Sequence, residues 1–138
     1  MSEKNLLTIY EEQKVFCSLN ATDDKERAVI YNASNNPDYM LSDMIGKVIP
    51  VKHIFAEEVE LTNEDTGEVS NVPRIVLIDD KNKSYGCVSV GIFNSIRRLF
   101  ATFGMPAEWE KPIPVLISQR KIKGNKNVLI LSVDDASM

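Results

Sequence analysis

Residues 111–127 read KPIPVLISQRKIKGNKN and hold five cations, Lys111, Arg120, Lys121, Lys123 and Lys126, with no acid among them. The whole chain carries a net charge of −4, so this stretch is basic against an acidic background. Clustered cations of this kind can follow the phosphates of a nucleic acid, because binding answers to the nearby field and not to net charge. Further cations on neighbouring predicted strands and turns could extend the track: Lys47, Lys52, Arg74, Lys81 and Lys83. Binding of single strands also needs aromatic faces on which bases stack. Tyr85 is the first candidate by position, followed by Phe55, Trp109, Tyr31 and Tyr39.

Other chemistries are poorly served. Asp79, Asp80 and Lys81 follow one predicted strand, and Glu57, Glu58 and Glu60 lie on another. Acids and a lysine at a sheet edge can hold Mg²⁺ and activate water, as metal-dependent nucleases do. Asp and Asn are equally ordinary turn formers, and DDKNK sits between two strands. His53 is the single histidine and reads as an exposed or half-buried strand residue. Cys17 and Cys87 form no CxxC pair and read as small core residues, so no metal site or cofactor is expected. GxSxG, HExxH, GxGxxG and the P-loop are all missing from the chain. The run from 57 to 68, EEVELTNEDTGE, is acidic throughout and reads as a solvated strand end and loop. Arg97 and Arg98 read as a solvated helix face.

These residues need elements to hold them. At 138 residues and 43% hydrophobic, the chain is sized for one domain with a real core. No apolar run nears the roughly 20 residues of a membrane span, and the N-terminus lacks the pattern of a signal peptide. A cytoplasmic protein is expected. Residues 14–19 and 27–33 (KVFCSL and RAVIYNA) lean toward strand and suggest a hairpin across a polar turn. Residues 38–45 suggest a helical turn ended by Gly46.

From Gly46 the pattern is clearer. Residues 47–61 predict one long strand, with Pro50 marking an edge position or a bulge. Residues 72–79 and 84–90 predict two more, with Gly86 marking a bulge or a close backbone approach. In 91–104 apolar residues fall at helical spacing. Residues 113–122 and 127–133 predict a closing hairpin. The order strand, strand, strand, helix, strand, strand predicts a mainly β fold, a five-stranded OB-like Greek-key barrel with one helix between strands 3 and 4. Residues 1–45 form an N-terminal β/helical extension packed on the barrel, 46–133 the OB-like domain, and 134–138 a short, frayed acidic tail. OB folds bind oligonucleotides across the face of strands 2 and 3, between the loops joining strands 1–2 and 4–5. The basic stretch occupies the second of those loops.

The LSDMIGK entry, the ELTNEDTGE loop, the VLIDD–SYGCVS hairpin and the GIFNSIRRLF helix resemble single-stranded DNA-binding proteins of phages and mobile elements of Gram-positive bacteria. The likeness runs over residues 27–133. It implies an OB-like fold that coats single strands exposed in DNA replication, recombination or transfer, with no catalytic residues. The better-known bacterial single-strand binders carry a long acidic tail that recruits enzymes. Here only Asp134 and Asp135 follow the last strand, which puts that route of recruitment in doubt. The expectation is a non-enzymatic, sequence-independent binder of single-stranded DNA, with replication proteins and further copies of itself as candidate partners. Two alternatives stand beside it. One is a metal-dependent nuclease. The other is a protein-interaction module, such as a replisome adaptor or host-protein inhibitor.

Overall fold

The computed structural model describes residues 15–17, 24–122, 124 and 126–138. Its spine is β3 (Val48–Thr62), a run rich in β-branched and apolar residues. On one edge β3 pairs antiparallel with β4 (Val69–Asp79) from Val51 to Thr62. Its other edge changes partner part-way. Val48–Val51 pair with β6 (Ile113–Ile122), and Phe55–Glu57 pair with β1 (Val15–Cys17). The β3–β4 register slips between Val51 and His53. A bulge there adds twist and bend, which a strand serving both sides of a curled sheet requires.

Three more strands complete the sheet. β5 (Ser84–Val88) pairs antiparallel with β4, and β2 (Tyr39–Met40) pairs parallel with β5. β7 (Lys126–Val133) pairs antiparallel with β6. The order is β2-β5-β4-β3-β6-β7, a six-strand path curled into a half-barrel, with β1 attached beside it on β3. Two α-helices accompany it among the described residues, α1 (Asp24–Asn35) and α2 (Val90–Phe103). The fold is thus mainly β and barrel-like, as the strand pattern implied. It differs from a five-stranded barrel by two extra strands and a second helix.

The concave side holds the main core. Ile54, Ala56, Ile75, Leu77, Ile113, Val115 and Ile117 alternate inward from their strands. α2 lays Ile92, Phe93, Ile96 and Leu99 over them. Leu41, in the short 3₁₀ turn Leu41–Met44, is fully buried in the same core. The opposite face of β3 and β4 carries a second, smaller cluster. There Ile30 and Ala33 of α1 cover Val76 and Ile78, with Val29 and Phe55 at the margin.

The N-terminal reading needs correction. Residues 27–33 belong to the helix α1, not to a strand. Val29, Ile30 and Ala33 turn to one side at helical spacing and dock on the sheet, overriding the strand preference of Val, Ile and Tyr. The strand at 15–17 pairs with β3, so no hairpin joins the two segments. Residues 1–14 lie outside the described residues. In the stretch 38–45 the short strand β2 precedes the helical turn. At the other end Asp135–Ser137 form an exposed 3₁₀ turn, and Asp134 N–H donates to the Pro114 carbonyl (2.9 Å).

Candidate nucleic-acid interface

The turn between β4 and β5 is built around one buried carboxylate. Asp79 Oδ1 accepts the backbone N–H groups of Lys81 and Lys83, each at 2.9 Å, and Oδ2 accepts the Tyr85 hydroxyl at 2.8 Å. Asn82 sits in the left-handed region at φ 64°, which Asn tolerates. Both lysine side chains point away into solvent. Lys52, at the β3 bulge, donates from Nζ to Asn82 Oδ1 (2.8 Å) and so joins the same turn. Asp79 is therefore engaged in holding the turn and is turned away from solvent. Among the described residues no three His, Cys, Asp or Glu side chains gather as a metal site.

The β6–β7 hairpin presents its charges differently. Period-two alternation sends Lys121 to the face shared by Ile117, and Arg120 to the opposite face. Both are exposed. Gly124, at φ 86°, supplies the left-handed residue the tip requires. Lys126 opens β7, and Lys123 lies outside the described residues. Lys47 is exposed where β3 begins, and its backbone carbonyl accepts Ile117 N–H (3.1 Å).

Strand direction then sorts the charge. The β4–β5 turn and the β6–β7 tip both lie toward the end of the sheet where β3 begins. Lys47, Lys52, Lys81, Lys83, Arg120 and Lys121 belong to that end. The loop 63–68 lies where β3 finishes, with Glu60, Glu64, Asp65 and Glu68. That loop is closed by Asn63, whose Oδ1 accepts Asp65 N–H (2.9 Å), and by Gly67 at φ 73°.

Arg74 stands apart from this set. It pairs across the strands with Glu57, Nη1 to Oε1 at 3.1 Å, and both are half-buried. The arginine charge is thus largely spent inside the protein. On α2, Arg97 and Arg98 are exposed. Gly91 abuts Leu129 and Ser95 accepts Leu131 N–H (3.1 Å), so α2 runs in the direction of β7. Its arginines therefore lie beyond Ser95 on the way from the hairpin tip, not beside it.

The aromatic residues are not equally available. Tyr85 is buried among the core residues and bonded to Asp79. Burial first, and then that hydrogen bond, hold its hydroxyl above the usual tyrosine range. Its neighbour across the β2–β5 ladder is Tyr39, stacked on it at 5.4 Å between centroids and 44% exposed. Tyr39 is thus the ring offered to solvent at this place. Sequence spacing could not distinguish the two, because only the parallel pairing of β2 with β5 puts one over the other. Trp109 is half-buried, edge-on to Phe100 at 6.5 Å, with its indole N–H donating to the Gly104 carbonyl (3.0 Å). Phe55 lies partly beneath α1. Tyr31 projects from α1 and is 66% exposed.

The face of β4 and β5 that an OB fold uses for oligonucleotides is roofed. α1 covers Val76 and Ile78, and Pro37 lies against Gly86, where a Cβ would come within 2.8 Å of its Cγ. This close approach is the reason for glycine at 86.

A family model described as phage single-stranded DNA-binding protein matches residues 10–134. The chain belongs to that family. Neither a curated protein nor a solved structure matches it. Every described candidate contact, from Lys47 to Lys126, lies within the family's span. No helix among the described residues is long and apolar enough to cross a membrane.

Proposed function

We propose that this phage single-stranded DNA-binding protein coats exposed single strands without sequence preference, in DNA replication or recombination, and catalyses no reaction. The observation that carries the reading is the set of exposed cations Lys47, Lys81, Lys83, Arg120 and Lys121 at the end of the sheet where β3 begins. Among the described residues none of them takes part in an ion pair with another. A strand passing these turns meets phosphate-seeking charge, and Tyr39 offers a ring on which a base can stack. Contacts to phosphate and to π faces carry little sequence information. The acidic loop at the other end would repel a rigid duplex laid along the molecule.

The test compares oligo-dT, a mixed-sequence single strand and a duplex of equal length by anisotropy at two salt concentrations. Salt-sensitive binding to both single strands, well above the duplex, supports the reading. Equal binding to duplex, or affinity that ignores salt, refutes phosphate tracking on single strands. Magnesium-dependent cleavage of any of the three would return the nuclease alternative.

A further inference from the structure

We infer that α1 is a displaceable cover, and that the β3–β4–β5 face beneath it is a second site for single-stranded DNA, with Phe55 stacking a nucleobase. The inference rests on the single-strand-binding reading above and adds where the strand goes once it is bound.

Four observations lead to it. First, the covered face has the composition of a base-stacking platform. Phe55, Val76 and Ile78 present a ring and flat apolar area, and Arg74 borders them on β4. In OB folds this strand face receives oligonucleotides. Second, the described packing of the cover on the sheet is apolar. α1 buries Ile30 and Ala33, while Tyr31 and Asn32 on its other side are exposed. The side-chain hydrogen bonds of Arg27, to Asp24, and of Ser34, to the Tyr31 carbonyl, both stay within the helix. Third, its sequence does not favour a free helix. Val29, Ile30, Tyr31, Asn32, Ser34 and Asn35 are middling or poor helix formers, and twelve residues are too few to be stable alone. α1 is a helix because the sheet face makes it one, so whatever competes for that face also competes with the helix.

Fourth, the chain is clamped immediately after α1. Asp38 N–H donates to Ser84 Oγ at 2.9 Å, and Asp38 Oδ2 accepts Ser84 N–H at 3.0 Å. Pro37 stays wedged on Gly86. Asn35 and Asn36 form the pivot between helix and clamp. Lifting α1 therefore exposes the face without disturbing β2, Leu41 or the main core.

The decisive signature is a pair of opposite signs. Ile30→Ala loosens the cover and should tighten oligo-dT binding several-fold, toward about tenfold, because the competent state becomes more populated. Phe55→Leu keeps apolar bulk under the helix but removes the ring, and should weaken binding about fivefold or more. A purely structural contact would move both variants the same way. Hydrogen exchange on the wild type gives an independent reading: amides 28–35 should exchange faster with oligo-dT bound than without it. Unchanged or slowed exchange there, or shifts of the same sign in the two variants, overturns the inference. If oligo-dT binds with salt sensitivity while α1 stays in place, the coating function stands and only the cover fails. If oligo-dT does not bind at all, both fail.

Discussion

Replacing Lys81 and Lys83 together by glutamine isolates the phosphate-tracking claim from the fold. Their backbone N–H groups, not their side chains, hold Asp79, and both side chains are exposed. The double variant should therefore unfold at the wild-type urea concentration. On single strands each phosphate contact contributes about 0.7 to the slope of log affinity against log salt. Losing two contacts should flatten that slope by about 1.4. At about 0.1 M salt each contact is worth roughly 0.7 of a decade relative to 1 M, so the pair should cost about 25-fold in affinity. Anisotropy of labelled oligo-dT at four or five salt concentrations gives slope and affinity together. An unchanged slope would show that the β4–β5 turn does not meet phosphates, whatever happened to the affinity.

Three further outcomes follow from the geometry. Asp79→Ala leaves the buried Tyr85 hydroxyl and two part-buried turn N–H groups without their acceptor and should cost about 3 kcal/mol in urea unfolding, whereas Tyr85→Phe removes one of those bonds and should cost about 1 kcal/mol. Burial pushes the Cys87 thiol up to about 12, against a smaller opposing pull from Arg74. A raised folded pKa gives stability that is fully present below the unfolded thiol value and is lost as pH climbs toward the folded one. Urea unfolding should therefore show the wild type losing more stability than Cys87→Ala between neutral pH and about pH 10.5. Gly91→Ala would place a methyl group 2.5 Å from the Leu129 carbonyl oxygen and force α2 away from β7. A loss of about 2 kcal/mol is expected by thermal or urea denaturation, and a neutral result would mean that the helix does not sit against that strand.

The C-terminal two-thirds of the fold could be read directly. β6 runs from Ile113 to Ile122 as the pattern predicted, and α2 follows its apolar stripe. Each of these elements declares its buried face through its own periodicity. α1 does not. Its Val29-Ile30-Tyr31 run favours extended chain locally, and only the waiting face of Val76 and Ile78 makes it helical. The candidate site could be listed from sequence as a set of cations but not as an arrangement. The pairing of Arg74 with Glu57 depends on a register set by the whole β3–β4 hairpin. The burial of Tyr85 and exposure of Tyr39 depend on a two-residue strand that no propensity marks. Long-range register decides which charges are spent and which rings are open, and it leaves little trace in local sequence.

The contact between α2 and β7 has a consequence for crowding. β7 ends the sheet path, and the outer edge of such a strand can template pairing with another molecule. Here Gly91 brings the helix against the Leu129 carbonyl, and Ser95 Oγ takes the Leu131 N–H. One of the groups that would recruit a foreign strand, the Leu131 N–H, is thus engaged within the chain, and the helix lies across the edge at Leu129. Copies lined up on one DNA strand would sit at very high local concentration for as long as they remain bound. With α2 laid along this part of the β7 edge, a neighbouring copy is hindered from adding its own strand there, so copies brought close together are kept from joining their sheets at that place.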